Sequence, residues 1–419
     1  MSVLYELWGS LVVKVVATII SPILLALLYY LFRRLYRAFQ ALRFAEAALA
    51  AVARRQEHDL WVEGPGFWLK PAIVRPANYD LRMQASIPIM MIATLKGGVG
   101  KTTLSASLAA HFAMRWTQRR QDPNTDQPLR VLLIDQDFQA SLSTMTVSDQ
   151  LRFRQPSKAN RLVSGELGKG EIVGQAEPIT RDGMVAPLSI ATIPAYYDLA
   201  QAENRTVIEW LLPLSDYALL ARLLRLLRLR DPNPPRSLKD VRYLLAEALL
   251  DPQVQANFDL VIIDAPPRLT TSHIQAMCAS TDLLVPTILD RLSFDAVGRY
   301  LNQVAIHKLD PLGGGSRAIC SHLKPVGVVC TIVPRPHGDL SGLLDELQGG
   351  IDASGLHTDI FRDCIIHHRP PYRDCAGDRI AYAADTTARP YEELRTEVDS
   401  LGDAVADKLG AKRRGWVRR

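Results

Sequence analysis

Hydrophobic residues follow two distinct patterns along the 419-residue chain, one long uninterrupted run near the start and many short runs thereafter. The long run is Val15 to Phe32, 18 residues without a charge. As a helix it would extend about 27 Å, close to the hydrocarbon thickness of a bilayer. Lys14 stands at its outer end, where a long side chain snorkels, and Trp8, Tyr29 and Tyr30 stand where interfacial aromatics belong. Pro22 is tolerated in such a helix. Arg33, Arg34, Arg37 and Arg43 follow at once, so the positive-inside rule puts the N-terminus outside and everything after Phe32 in the cytoplasm. A cleaved signal peptide would carry its positive charges before the apolar run and a small-residue cleavage site after it. A core helix of a soluble fold rarely runs this long without a polar face. The pattern therefore predicts a single-pass anchor in the cytoplasmic (inner) membrane.

The short runs have strand length: Ile87 to Thr94, Val131 to Ile134, Leu188 to Ile193, Phe258 to Ile263, Leu283 to Pro286 and Val326 to Val333. Helical stretches such as Leu104 to Met114 and Leu238 to Leu250 separate them. Strands alternating with helices predict an α/β fold, a mostly parallel sheet covered by helices on both faces. Between the runs, Thr117 to Leu129 and Arg152 to Gly183 read as loops with little core. Ala38 to Arg55 reads as a connector helix, and Trp61 to Trp68 as a hairpin around Gly64-Pro65-Gly66. Tyr217 to Arg230 sets leucines against arginines and reads as a basic amphipathic helix, more often an ordinary surface helix than a binding one. The predicted organisation is a tail and membrane helix over 1–32, a cytoplasmic connector over 33–86, an α/β domain over 87–410 and a basic tail over 411–419.

Charge changes this picture little. The net formal charge is +5, and Lys412, Arg413, Arg414, Arg418 and Arg419 supply as many positive charges at the C-terminus. The remainder is near neutral, without the basic field that argues for nucleic acid, so nucleic acid is not the favoured partner. Five cysteines without a C-x-x-C fit a reducing compartment. Cys364, His367, His368 and Cys375 lie close in sequence, but their spacing matches no standard zinc pattern.

The chemistry is concentrated after the first short run, in Lys96-Gly97-Gly98-Val99-Gly100-Lys101-Thr102-Thr103. Glycines let the backbone turn tightly and aim successive N–H groups inward, and a helix N-terminus adds partial positive charge, so a strand–loop–helix of this kind suits a polyphosphate. Lys101 would reach its β- and γ-phosphates, and the Thr102 hydroxyl would hold Mg²⁺. The usual G-x-x-x-x-G-K-[ST] pattern asks for glycine where Leu95 stands. Two further runs end in carboxylates at what would be the same edge of the sheet: Asp135-Gln136-Asp137-Phe138-Gln139, and Asp264-Ala265-Pro266-Pro267. Asp264 closes a hydrophobic strand in the manner of a Walker B aspartate and would act on Mg²⁺ through a water.

The K-G-G-x-G-K-T-T form, the D-x-D-x-Q element and the I-D-A-P-P turn together resemble the ParA/MinD family of deviant Walker A P-loop ATPases. The resemblance covers roughly Ile87 to Leu409. It implies ATP as ligand, Mg²⁺-dependent hydrolysis, and a homodimer in the ATP state in which Lys96 reaches the phosphates held by the partner subunit. By the same match Asp137 would orient the attacking water and Asp135 would support Mg²⁺. Phe138 stands where proline is common in the family. The implied role is a membrane-anchored switch that positions or regulates an unidentified protein partner. A bacterial tyrosine kinase of polysaccharide export is a rival, but it usually ends in a tyrosine cluster, and this chain has no tyrosine after Tyr391. A DNA-binding partition ATPase is the other, resting on the arginine helix and the basic tail.

Overall fold

The computed structural model describes residues 28–30, 32–33, 36, 68, 73–119, 127–147, 157–167, 170–179, 183–185, 188–211, 240–309, 318–335, 340–375 and 378–419. The chain divides into two units, Met1–Gly64 and Pro65–Arg419. In the first, the described residues are helical, and the rings of Phe32 and Tyr36 stack with centroids 6.3 Å apart. Most of the predicted span Val15 to Phe32 lies outside the described residues, as do the connector over 38–55, the hairpin but for its last residue, Trp68, and the arginine helix over 217–230. Among the described residues no helix is long and apolar enough to cross a membrane.

Among the described residues the second unit has ten strands: β1 (Ile89–Ile92), β2 (Trp116–Gln118), β3 (Gln127–Pro128), β4 (Val131–Asp135), β5 (Glu177–Pro178), β6 (Ile190–Ile193), β7 (Leu260–Asp264), β8 (Asp282–Thr287), β9 (Lys324–Cys330) and β10 (Trp416–Arg418). Seven form the main sheet, in the order β5-β6-β4-β7-β1-β8-β9. Every pairing is parallel except that of the short edge strand β5. Parallel strands need crossovers, which place helices on both faces and bury the strands on both sides. Accordingly β1, β4 and β7 are buried at every position.

Alternation along each strand sends its residues into two separate cores. Ile89, Met91, Leu132, Ile134, Val261 and Ile263 face one core, with the helices Leu244–Leu249, Thr271–Ala279 and Arg291–Leu309. Met90, Ile92, Val131, Leu133, Leu260 and Ile262 face the other, with the helices Lys101–Arg115 and Arg389–Lys408. Those last two helices meet at Gly402, where a Cβ would lie 2.2 Å from the His111 ring, so only glycine permits the approach. His111 is fixed there by Asp399 (2.8 Å from Nδ1) and by Trp116, whose indole N–H donates to Nε2 at 3.1 Å.

Four sequence expectations need correction. The stretch expected to be loop with little core contains the helices Lys158–Val163 and Glu171–Gln175, and buries Ala159, Leu162, Val163 and Ile172. Its polar residues hid the signal: Ser157 caps the first helix by accepting from the Asn160 N–H, and the helices are too short for a clear period. Thr117 to Leu129 is not all loop, because β2 and β3 pair antiparallel. The basic segment 411–419 is not a free tail: Ala411 and Trp416 are buried, and β10 pairs with β2. Finally, the expected boundary at 86/87 falls inside a folded region. The helix Tyr79–Ala85 buries Tyr79 and Met83, and the Tyr79 hydroxyl donates to the Cys278 carbonyl.

Candidate functional site

Three strands bring the chemistry together at the C-terminal edge of the sheet. Ile92 of β1 lies in register with Asp264 of β7, and Asp264 with Asp135 of β4. The loop leaving β1 turns with Gly98 at φ 76° and Gly100 at φ 69°, the left-handed region that glycine alone adopts without strain. Gly100 is the N-cap of the 15-residue helix Lys101–Arg115, so the free amides of the first turn, and the positive end of the helix dipole, sit at the loop. A Cβ on Gly100 would also press on Tyr372 (3.1 Å) and Ile332 (3.3 Å). The Thr331 hydroxyl lies 2.7 Å from the Val99 carbonyl oxygen and 3.0 Å from that of Thr287, tying the loop to the ends of β8 and β9.

Lys101 is the first helical residue, and only 8% of it is exposed. Ser105, one turn on, donates to the Lys101 carbonyl (3.0 Å) and lies 3.2 Å from Asp264 Oδ1. Asp264 is fully buried, and its Oδ2 has no hydrogen-bond partner among the described residues. Burial pushes its pKa up, against the pull of the Lys101 cation and of hydrogen bonds from Thr102 and Ser105. A dry carboxylate oxygen without a donor, beside the Thr102 hydroxyl, matches what a hydrated divalent cation satisfies. Thr102 and Asp264 thus fit the expected metal position.

Asp135 is arranged differently. Its Oδ1 accepts from the Asp137 N–H (3.0 Å), and its Oδ2 from the Ser143 N–H (2.9 Å) and hydroxyl (2.7 Å). Burial, with the charge of Asp264 beside it, pushes its pKa up to about 7. Both its oxygens are committed to the protein, so Asp135 fixes the turn that follows β4, and any part in holding a metal is indirect. That turn carries Asp137, 8% exposed, with Oδ1 accepting from the Gln139 N–H at 3.0 Å. Behind the Asp264 turn, His273 is a buried neutral imidazole, 2.9 Å from the Pro266 carbonyl and 3.2 Å from the Tyr300 hydroxyl. Burial lowers its pKa to about 4.

Gly97, Gly98, Val99, Gly100, Lys101, Thr102 and Thr103 therefore form one continuous loop and helix start, and Asp264, Asp135 and Asp137 gather beside it. Lys96 points elsewhere: its ammonium lies 3.1 and 3.0 Å from the two carboxylate oxygens of Asp290 in the same chain, and also bonds Ser293. Sequence reasoning missed Ser143, on the helix just after the Asp135 turn, and Thr331, Tyr372 and Asp290, which reach the site from distant segments; none belongs to a short motif. The sequence neighbours Cys364, His367 and Cys375 turn to separate partners: Ser400 (3.5 Å), Glu397 (2.8 Å) and Tyr391 (3.4 Å).

A glycine loop between a buried strand and a helix N-terminus, a lysine opening that helix, and buried aspartates ending β7 and β4 define a P-loop NTPase-like α/β fold. Comparison with known proteins adds the following. Residues 230–310, which contain β7 and β8 but not the glycine loop, match the AAA domain family. A Rhizobium rhizogenes protein bearing the name replication protein A is 26% identical over 217 residues, 50% of this chain and only 43% of that protein. Among solved structures, cobyrinic acid a,c-diamide synthase from Mycobacterium smegmatis, with an ATP analogue and magnesium, is similar at 23% identity and TM-score 0.43, covering 64% of this chain and 82% of that one. The ATP complex of McdA(D38A) from Cyanothece is similar at 17% identity and TM-score 0.49, covering 78% and 97%.

Proposed function

We propose that this protein is an ATPase of the ParA/MinD kind, which binds ATP with Mg²⁺ and hydrolyses it as a dimerisation switch at the cytoplasmic membrane. The observation that carries the reading is the orphaned Oδ2 of buried Asp264, whose carboxyl interacts with Lys101 and Thr102 at the start of the helix that follows a left-handed glycine loop. The loop amides and Lys101 would hold the phosphates, and Thr102 and Asp264 would hold Mg²⁺, which would supply charge to offset that on the transferred phosphoryl group. Asp137, presented by the turn that Asp135 fixes, orients the attacking water. Lys96 of a second subunit completes the charge around the phosphoryl group, so ATP favours a homodimer and hydrolysis releases it. The predicted N-terminal span keeps this cycle at the membrane, where it positions or regulates a protein partner.

A DNA-binding partition role would rest on the arginine helix and the basic C-terminal segment, but a free basic arm does not support it: residues 416–418 are tied into a sheet. The test is titration of the full-length protein with ATP and Mg²⁺. Lys101→Ala should weaken binding at least 100-fold, since a buried charge-assisted contact to the phosphates is lost. Unchanged affinity would refute the assignment.

A further inference from the structure

Lys101 is buried near Asp264, whereas the side chain of Lys96 turns to Asp290 and Ser293. An ammonium has three N–H donors. Asp290 Oδ1, Asp290 Oδ2 and the Ser293 hydroxyl take all three. Asp290 is itself fixed, because it precedes the 19-residue helix Arg291–Leu309 and caps it. Its Oδ1 accepts from the Ser293 N–H at 2.7 Å, and its carbonyl from the Ser293 and Phe294 N–H groups at 3.0 and 3.1 Å. The turn that carries it leaves β8 at Thr287, whose carbonyl also holds Thr331, the residue that grips the loop at Val99. Lysine and acceptor are therefore mounted on one rigid frame. With side chains 27% and 42% exposed, the pair can part without disturbing the core.

We propose that Asp290 and Ser293 form a docking position that holds the Lys96 ammonium within its own subunit and competes with its delivery to the phosphates of a partner. This rests on the reading of Lys96 as a residue that acts across the dimer. Asp290 is then a positioning residue, and its ion pair sets how much ATP is needed before two subunits close. The helix cap does not need the lysine, since the carbonyl and Oδ1 contacts to the helix amides are made without it. The lysine cannot be in both places, so every bond it makes to Asp290 must break when it crosses to a partner.

The experiment uses the full-length protein carrying Asp137→Ala, so that bound ATP persists, and follows dimer formation by sedimentation velocity as ATP and Mg²⁺ are raised. Asp290→Asn keeps a residue favoured at helix N-caps and removes only the charge. It should lower the ATP concentration at half-dimerisation by about 2- to 5-fold, the range expected for a part-exposed ion pair. Ser293→Ala should shift it the same way by less. A merely structural role predicts the opposite sign, a dimer weakened by damage to the helix start. An unchanged or raised threshold in both variants would overturn the proposal. So would recovery of the dimer in Lys96→Ala/Asp290→Asn, because Asp290 would then act by simple repulsion between subunits. If Lys96→Ala alone dimerises as well as its parent, the cross-dimer reading fails and the proposal falls with it. If Lys96→Ala loses the dimer while Asp290→Asn leaves the threshold unchanged, the docking position alone is wrong.

Discussion

Two buried carboxylates sit side by side at the ends of β7 and β4, and their surroundings give them different work. Asp264 has an oxygen without a donor, whereas Asp135 has both oxygens bonded and is anchored through Ser143. Asp137, on the turn that Asp135 holds, is left as the group able to meet a water. Asp137→Ala should leave ATP binding largely intact and reduce turnover by about 10² or more, measured as steady-state phosphate release beside a binding titration. Equal loss of both would make Asp137 a ligand of the metal or a structural residue. The glycines, Lys101, Thr102 and Asp264 were legible in the sequence because each sits at a fixed offset from a strand end. Ser143 and Thr331 were not, since a hydroxyl that braces a neighbouring turn or a distant loop leaves no periodic or motif trace. Lys96 was legible as an extra lysine, but its pairing with Asp290, almost two hundred positions away, depends on where β8 ends.

At the scale of elements, the strand positions were readable because buried parallel strands are uniformly apolar, and each run found one: β1, β4, β6, β7, β8 and β9. The helices over 158–163 and 171–175 were not, being too short to show a period and held mainly by the core beneath them. The packing between elements makes a pH prediction. His273 is buried and His322 half-buried, and loss of water contact is the main cause that lowers both pKa values to about 4. His322 packs edge-on against Tyr79, at 5.2 Å between ring centroids, where the helix Tyr79–Ala85 joins the core. Folded values below the ordinary 6.5 mean that the unfolded chain binds more protons in this range. The stability concerned is complete above about pH 6.5 and is lost as pH falls toward 4. Between pH 7.5 and 5 each imidazole should cost about 2 kcal/mol, seen as a fall in unfolding free energy by urea denaturation. His322→Gln should remove its share and give a shallower profile than the wild type. Parallel profiles would show that His322 is not held neutral.

The whole molecule has a folded unit that starts earlier and ends later than its motifs suggest, running from Pro65 to Arg419 and taking in the helix Tyr79–Ala85 and the strand β10. Motifs mark the C-terminal edge of the sheet, whereas these elements are joined to each other away from it, as where the Arg414 guanidinium donates to the Ser86 carbonyl (3.4 Å). The N-terminal unit carries the uncharged run Val15 to Phe32, and its anchoring role is tested directly by fractionation. The full-length protein should stay with membranes through high salt and carbonate, and deletion of residues 1–32 should release it. A full-length protein that washes free would show that the run does not span the bilayer.

Central to the account is a site completed by a second subunit, so that hydrolysis depends on two copies meeting. The most direct measurement is the rate of ATP hydrolysis per molecule, with saturating ATP and Mg²⁺, as the concentration of full-length protein is raised. The account predicts that the rate per molecule climbs with concentration and levels off as dimers fill, and that Lys96→Ala stays low throughout while still binding ATP. A rate per molecule that is the same at every concentration, or a Lys96→Ala protein as active as the wild type, would contradict it.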